Sequence, residues 1–282
     1  MSQVEQTGES IWTVRGAAGP TLAIVGGIHG DERAGIEVIQ QLRDTLKLVR
    51  GTVHLILGNP PAIEKGVRML NDENLNRRFF ADNQGSEAVD VRARELMAVL
   101  RTCDACIDLH EHKEETTSHF IACEPPSFPL ARAINPSAIT FDWLGAEPGA
   151  TDSFMYEIGK VGICYEAGAN TLTAGNVQLQ LGAVDVFLRY YGVVAGEKPQ
   201  EGNPRMVRIN RSIIKQTNSF RFNQHFQSFQ ALQPGEVFAT DGAMSYKAQV
   251  GEVIIFPRAQ NPIGAEACII GKFVSEGPDN GA

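Results

Sequence analysis

The sequence is short of positive charge. Its 25 lysines and arginines face 33 aspartates and glutamates, a net charge of −8 over 282 residues. An acidic chain has no electrostatic means of holding nucleic acid or an anionic membrane non-specifically, so neither is expected as a partner. Long apolar runs are also missing. No stretch approaches the roughly 18 apolar residues of a transmembrane helix. The opening residues MSQVEQTGES carry neither a basic cluster nor an apolar segment, so no secretory signal is expected. Cysteine is sparse, with five in the chain. An odd, thin set belongs to a reducing compartment rather than a disulfide framework, and a cytoplasmic location is expected. Cys103 and Cys106 form a C-x-x-C pair. Neither a helix N-terminus nor a second pair accompanies it, so Cys106 is expected to pack in the strand that follows.

What is present is the composition of a globular protein, 43% hydrophobic and 21% charged. A chain of this length buries roughly 75% of its extended surface, enough for one large core or two domains. Through the first two thirds, strand-like and helix-like patterns alternate. TLAIVGGIHG (21–30) reads as a buried strand running into a glycine-rich loop. The segment at 34–46 then puts Ile36, Ile39, Gln40 and Leu42 at helical spacing. GTVHLILGNP (51–60) is the next strand, stopped by Asn59-Pro60-Pro61. A helix is expected over 86–102, with Val89, Val91, Leu96, Met97 and Leu100 in one stripe and Ser86 as N-cap. Short strands follow at 104–110, 118–124, 137–141 and 162–168, and a long helix at 176–192. Alternating strands and helices predict an α/β fold with a largely parallel or mixed sheet, whose functional residues lie at the carboxyl ends of strands.

After Gly192 the texture changes. Residues 193–205 read as a linker rich in glycine, proline and charge. Short β-type runs at 205–214, 235–240, 248–256 and 267–273 then predict a small all-β module without helices. The tail SEGPDNGA is expected to be mobile.

Four segments carry chemistry-bearing residues. GGIHGDERAG sets His29 and Glu32 in a tight turn just past a strand, and both are zinc-ligand types. IDLHEH ends another strand with Asp108, His110 and His112, which alternation puts on one face if the strand continues that far. His110 would complete a two-histidine, one-glutamate site, with His112 as a rival ligand and Asp108 as an outer partner. RMLNDENLNRRFF supplies Arg68, Asn76, Arg77 and Arg78, suited to gripping a carboxylate. GICYEAGAN puts Glu166 at a strand's carboxyl end, where it can serve as general base. Cys164, on the same strand face, is expected to pack rather than react.

In this order the segments GGIHGDE, NP, NLNRRF, DLH and YEAG resemble the aspartoacylase and succinylglutamate desuccinylase family, over roughly residues 20 to 275. The resemblance implies a zinc-carboxypeptidase-like mixed sheet flanked by helices, a catalytic domain over 1–195, and a small C-terminal all-β domain over 196–282 that shapes access. It implies one Zn2+ held by His29, Glu32 and His110. Arg68 would polarise the scissile carbonyl, Asn76 and Arg77 would hold a substrate carboxylate, and Glu166 would be the general base and acid. The implied reaction is hydrolysis of the amide bond of a small N-acyl amino acid, such as a succinylglutamate- or acetylaspartate-like compound. The partner is then a small acidic or amphoteric substrate, and a homo-oligomer is compatible with it. Two other readings use the same residues: a carboxypeptidase trimming a peptide, and a non-catalytic metal-dependent binding protein.

The sequence also departs from the family pattern. Asn74 stands where the family's DLNR motif has aspartate. Members specific for N-acetylaspartate carry an arginine shortly before the catalytic glutamate. The stretch SFMYEIGKVGICYE has Lys160 but no arginine. The substrate-facing tyrosine of those members has no counterpart in AQNPIGAEA.

Overall fold

The computed structural model describes residues 4–113 and 118–275. Part of the charged HEHKEE run and nearly all of the tail expected to be mobile lie outside the described residues. In chain order the elements are β1 (Val4–Gly8), β2 (Ile11–Arg15), β3 (Ala17–Gly26), α1 (Arg33–Thr45), β4 (Arg50–Leu57), α2 (Pro60–Lys65), α3 (Ala88–Leu100), β5 (Ala105–His112), β6 (Phe120–Ala122), α4 (Phe128–Ile134), β7 (Ala138–Phe141), α5 (Thr151–Glu157), β8 (Val161–Ala169) and α6 (Thr173–Tyr190). The C-terminal region adds β9 (Arg205–Ile214), β10 (Arg221–Phe222), β11 (Gln230–Ala231), β12 (Val237–Asp241), β13 (Met244–Lys247), β14 (Glu252–Ile255) and β15 (Glu266–Val274). Among the described residues no helix is long and apolar enough to cross a membrane.

The strand order of the large sheet is β1-β2-β4-β3-β5-β8-β6-β7-β9-β15-β14-β11. Its centre is parallel: β4, β3, β5 and β8 run the same way. Alternation along β3 shows why helices cover both faces. Leu22 and Ile24 enter a core with Val38 and Ile39 of α1 and Val184 and Phe187 of α6. Ala23 and Val25 enter a second core with Ala93 and Leu96 of α3 and Phe154 of α5. All four strand side chains are buried. A parallel strand apolar on both sides has no other stable place than between two helical layers.

The N-terminus of α3 differs from expectation. The N-cap is Glu87 rather than Ser86, because Asp90 reaches back to accept the Glu87 N–H at 3.2 Å. Val91 leaves the predicted apolar stripe and is exposed. Strands β1 and β2 and the short helices α2, α4 and α5 carry too few periodic residues to have been read from sequence.

The C-terminal region is all-β, as expected, but it does not build a sheet apart. β9 pairs in parallel with β7 and antiparallel with β15, so the large sheet runs unbroken into it. Only β10, β12 and β13 form a separate small sheet. One apolar cluster spans the seam, joining Phe120, Ala138 and Trp143 to Val207, Phe229, Val253 and Phe256. The C-terminal strands are thereby fixed against the carboxyl-end side of the central sheet, where the candidate site lies.

Cys103 and Cys106 pack in the α3 core, and all five cysteines are free and buried. Burial pushes the Cys103 thiol up to about 12, and an apolar surround raises the others as well. Ellman titration should find almost no reactive thiol in the native protein and all five cysteines after unfolding. Fast reaction of Cys103 or Cys106 in the native protein would contradict this packing.

Candidate metal centre

The site forms where three parallel strands end side by side. After β3 the chain turns sharply. Gly27 takes φ +69°, a left-handed conformation that glycine adopts without strain. Gly30 lies against α2 so closely that a Cβ there would sit 2.2 Å from the Ala62 carbonyl. This turn carries His29 and delivers Glu32 to the residue just before α1. As the α1 N-cap, Glu32 makes no capping hydrogen bond with its side chain. Its carboxylate is turned into the site instead. The helix is capped from β5: Glu111 accepts the Ala34 N–H at 2.8 Å and an Asn176 side-chain N–H at 2.6 Å.

Glu32 is the hub. Its Oε1 lies 2.8 Å from His29 Nδ1 and accepts from Arg68 Nη1 at 2.5 Å. Its Oε2 lies 3.0 Å from His110 Nδ1 and accepts the Glu111 backbone N–H at 3.1 Å. His29, Glu32 and His110 are all buried. One ligand atom from each lies within 4.8 Å of the others. The outer ring nitrogens are oriented from behind. His29 Nε2 meets Asn74 Oδ1 at 3.1 Å, and His110 Nε2 lies 3.0 Å from Asp108 Oδ2. Asp108 is itself held by the Thr151 hydroxyl at 2.6 Å. Such outer partners fix ring orientation in histidine metal sites.

The electrostatics agree with a place for a cation. Burial alone would raise Glu32, yet His29, His110 and Arg68 hold it well below the usual carboxylate range. Burial lowers His29. Burial also works against a charged His110, but Asp108 and Glu32 outweigh it and favour the cationic ring. Arg68 and the cationic ring of His110 already meet the Glu32 charge, so the case for a metal rests on the donor set itself. The residues present therefore fit a small cation bound by two imidazole Nδ1 atoms and one carboxylate. A second combination, Asp108, His110 and Cys164, also brings three donors within the same span. It shares His110, and burial keeps its thiol protonated.

Parallel register brings in the proposed base. His110 of β5 is paired with Glu166 of β8, and Asp108 with Cys164. Glu166 thus stands beside His110 on the same sheet face, with Oε2 buried and unpartnered among the described residues. Burial pushes its carboxyl up to about 7. Glu32 adds to that, while His110, Arg68 and Arg258 oppose it. His112 does not join. The pairing with β8 shifts between His110 and His112. The His112 ring packs instead toward Phe256, with centroids 6.0 Å apart.

Arg68 is drawn onto Glu32, as described above. Asn76 and Arg77 lie in a short 3-10 turn whose start is held by Asn74 Oδ1 accepting the Asn76 N–H at 3.0 Å. They line a cavity together with Glu166, Phe120, Trp143 and Phe256. Arg77 forms an ion pair with Glu147. Arg78 instead faces Asp90, 3.8 Å away and outside this cavity. Glu111, Thr151 and Glu147 are contributors that the sequence did not reveal. Glu111 lies in a charged run whose sequence does not distinguish a pocket residue from a solvated one, and Thr151 and Glu147 lie in no motif.

A parallel-sheet α/β fold with a buried His-Glu-His cluster at its carboxyl edge, an adjacent glutamate and nearby arginines fits a hydrolase. The chain matches the succinylglutamate desuccinylase/aspartoacylase catalytic domain over residues 18–189 and the family's barrel-sandwich hybrid domain over 203–271. It belongs to the succinylglutamate desuccinylase/aspartoacylase family. It is 28% identical to a succinylglutamate desuccinylase of Vibrio cholerae, over 90% of this chain and 81% of that protein. Against one from a Shewanella species the identity is 26%, over 95% and 86%. The fold is shared with a solved succinylglutamate desuccinylase of Vibrio parahaemolyticus (TM-score 0.79, 19% identity, 97% and 89% covered). It is also shared with the ectoine utilization protein EutE (DoeB) of Ruegeria pomeroyi (TM-score 0.73, 20% identity, 94% and 88% covered).

Replacing Glu111 by alanine strips the buried Ala34 N–H of its acceptor at the head of α1. The expected loss of stability is about 1–3 kcal/mol, read as a lower urea midpoint at unchanged slope. Glu111→Gln, which keeps one acceptor oxygen, should lose less. Equal midpoints for Glu111→Ala and the parent protein would refute the capping role.

Proposed function

We propose that this protein is a zinc-dependent deacylase that hydrolyses the amide bond of a small N-acyl amino acid. The reading rests chiefly on one observation. The β5–β8 register sets Glu166 beside His110, so a proton-transfer group adjoins the cluster able to hold a metal. The relatives are succinylglutamate desuccinylases, which supports the reaction class.

His29, Glu32 and His110 would hold the zinc ion, and the ion would supply Lewis acidity that makes a water acidic near neutral pH. The remaining work falls to side chains of the chain. Glu166 takes a proton from the attacking water and returns it to the leaving amine, a role suited to a carboxyl whose pKa is pushed toward neutrality. Arg68 donates to the oxygen that gains charge as the carbonyl is attacked. Loss of one such donor typically costs about 10²–10³ in kcat. Asn76 and Arg77 hold the substrate's α-carboxylate, and Glu147 fixes the guanidinium in place for it. A separate pocket of the C-terminal region is lined by Lys113, Arg221, His225 and Arg258, with no carboxylate among its described lining residues.

An amino-acid conjugate is favoured over a peptide because Trp143 and, from the C-terminal region, Phe256 wall the cavity. On this reading residues 1–195 perform the chemistry, and residues 196–282 narrow the approach to it.

Two measurements test the proposal. Metal analysis should find one zinc per chain in the parent protein and in His112→Ala, and loss of it in His29→Ala and His110→Ala. Glu166→Gln should keep its zinc and lose at least about a thousandfold in kcat on N-acyl amino acids. Retention of full activity by Glu166→Gln would overturn the assignment of the base.

A further inference from the structure

Beyond Asn76, Arg77 and Glu166, the polar lining of the cavity is Glu147, Asp152 and Ser153. Among the described lining residues Arg77 is the only base, and its partner is Glu147. Whatever holds Glu147 therefore also holds Arg77. Glu147 belongs to the loop between β7 and α5, and that loop is gripped from two sides. On one side the Gly149 carbonyl accepts the Phe79 N–H at 3.1 Å. A Cβ on Gly149 would lie 2.9 Å from the Arg77 carbonyl carbon, so loop and turn are in close contact. On the other side the Ser212 hydroxyl of β9 donates to the Ala146 carbonyl at 3.4 Å. The Trp143 ring packs with Val207 and Phe256. The loop is thus wedged between the Asn76–Arg77 turn and the C-terminal strands.

Glu266, the first residue of β15, meets this wedge. Its carboxyl is hydrogen-bonded to that of Glu147. Its Oε1 is buried and has no hydrogen-bond partner among the described residues. Two carboxyl groups in contact cannot both be ionised, so one keeps a proton. Arg77 selects which one. Burial alone would raise Glu147, but Arg77 holds it below the usual carboxylate range. Burial and the facing Glu147 charge push Glu266 up to about 9. At neutral pH the proton is on Glu266, whose O–H donates to Glu147. The other charged groups around the pair do not displace it. Arg258, from the loop after β14, favours the ionised form of both glutamates, and Arg77 does the same for Glu266. Burial keeps the Cys268 thiol of β15 protonated. Lys215 donates to the Ala259 carbonyl at 2.9 Å, and Arg211 of β9 donates to Glu252 at 3.1 Å.

We infer that Glu266 is a positioning residue for this site: its carboxyl O–H holds the Glu147 carboxylate, which holds the Arg77 guanidinium toward the carboxylate of the substrate. The C-terminal region then takes part in substrate binding through a hydrogen bond, besides walling the cavity. When the shared proton leaves, the contact between the two glutamates becomes a repulsion. Negative charge is then added beside the group that must attract an anion. The role of Arg77 as carboxylate anchor comes from the deacylase reading above, and the inference rests on that reading.

The test uses the zinc-loaded full chain and a series of N-acetyl and N-succinyl amino acids, with kinetics on the conjugate hydrolysed fastest. Glu266→Leu keeps the bulk and removes the hydrogen bond; it should raise KM at least about tenfold and change kcat less than about threefold. Glu266→Gln, whose amide N–H can donate to Glu147, should stay within about threefold of the parent KM near neutral pH. From neutrality to about pH 10 the KM of the parent should rise at least about fivefold more than that of Glu266→Gln, which has no proton to lose at this position. A parent-like KM in Glu266→Leu, or an alkaline rise shared equally by Glu266→Gln, would overturn the inference. Should Glu266→Leu fail to fold, the pH comparison of the parent with Glu266→Gln decides alone. Protein labelled with 13C at the glutamate carboxyls gives a readout that needs no substrate. One resonance should titrate near pH 9 in the parent, be missing from Glu266→Gln, and titrate at lower pH in Glu147→Gln. That resonance without hydrolysis of any conjugate would uphold the Glu147–Glu266 link and refute the deacylase reading. Hydrolysis without that resonance, and with unchanged KM in both Glu266 variants, would refute the link and leave the deacylase reading intact.

Discussion

The buried Glu32 carboxylate is the constraint on which the rest of the site depends. A charge taken this far from water must be met on every side. It is met by His29 from its own turn, Arg68 from the loop after α2, His110 and the Glu111 N–H from β5. Those partners come from separate parts of the chain, so the fold has to be complete before the charge is compensated. The cost is visible in α1, whose N-cap gives its side chain to the site. Glu111, from the strand that carries His110, makes up the missing cap. One strand thus contributes a histidine to the cluster and the side chain that secures the opposing helix.

The parallel register turns that local arrangement into a reactive one. Successive side chains of a strand point to opposite faces. Ile107 and Leu109 therefore serve the α1–α6 core, while Asp108 and His110 face the other way. On β8 the same alternation sends Ile163 and Tyr165 to that core and leaves Cys164 and Glu166 beside Asp108 and His110. A slip of one residue in β8 would bury Glu166 among apolar side chains, and a slip in β5 would do the same to Asp108 and His110. The large cores on both faces are what prevent that slip.

The acidity of the whole chain and the character of the pocket are separate matters. The net charge of −8 describes the solvated exterior. Locally basic groups stand at the site: Arg68 pairs with Glu32, and Arg77 lines the cavity beside Glu166.

Much of this was legible in the sequence. The apolar strands and the two long helices announce themselves by periodicity, because burial demands those patterns locally, while His29, Glu32, His110 and Glu166 are singled out by residue type and by the resemblance of their motifs to the family. Other features had no local signal. Ser86 looked a sound cap, and Asp90 displaced it by reaching back to Glu87. His112 looked a rival ligand, and a register shift turned it toward Phe256. The C-terminal β region looked self-contained, yet β9 joins β7 and carries the sheet through. Asp152, Ser153 and Glu147 matched no pattern. The sequence by itself determined which residue types could do chemistry and on which strand ends they lie, since those follow from spacing. Tertiary structure alone decided which of them share a cavity and what charge that cavity presents. Burial and pairing depend on segments far apart in the chain, and no local pattern records them.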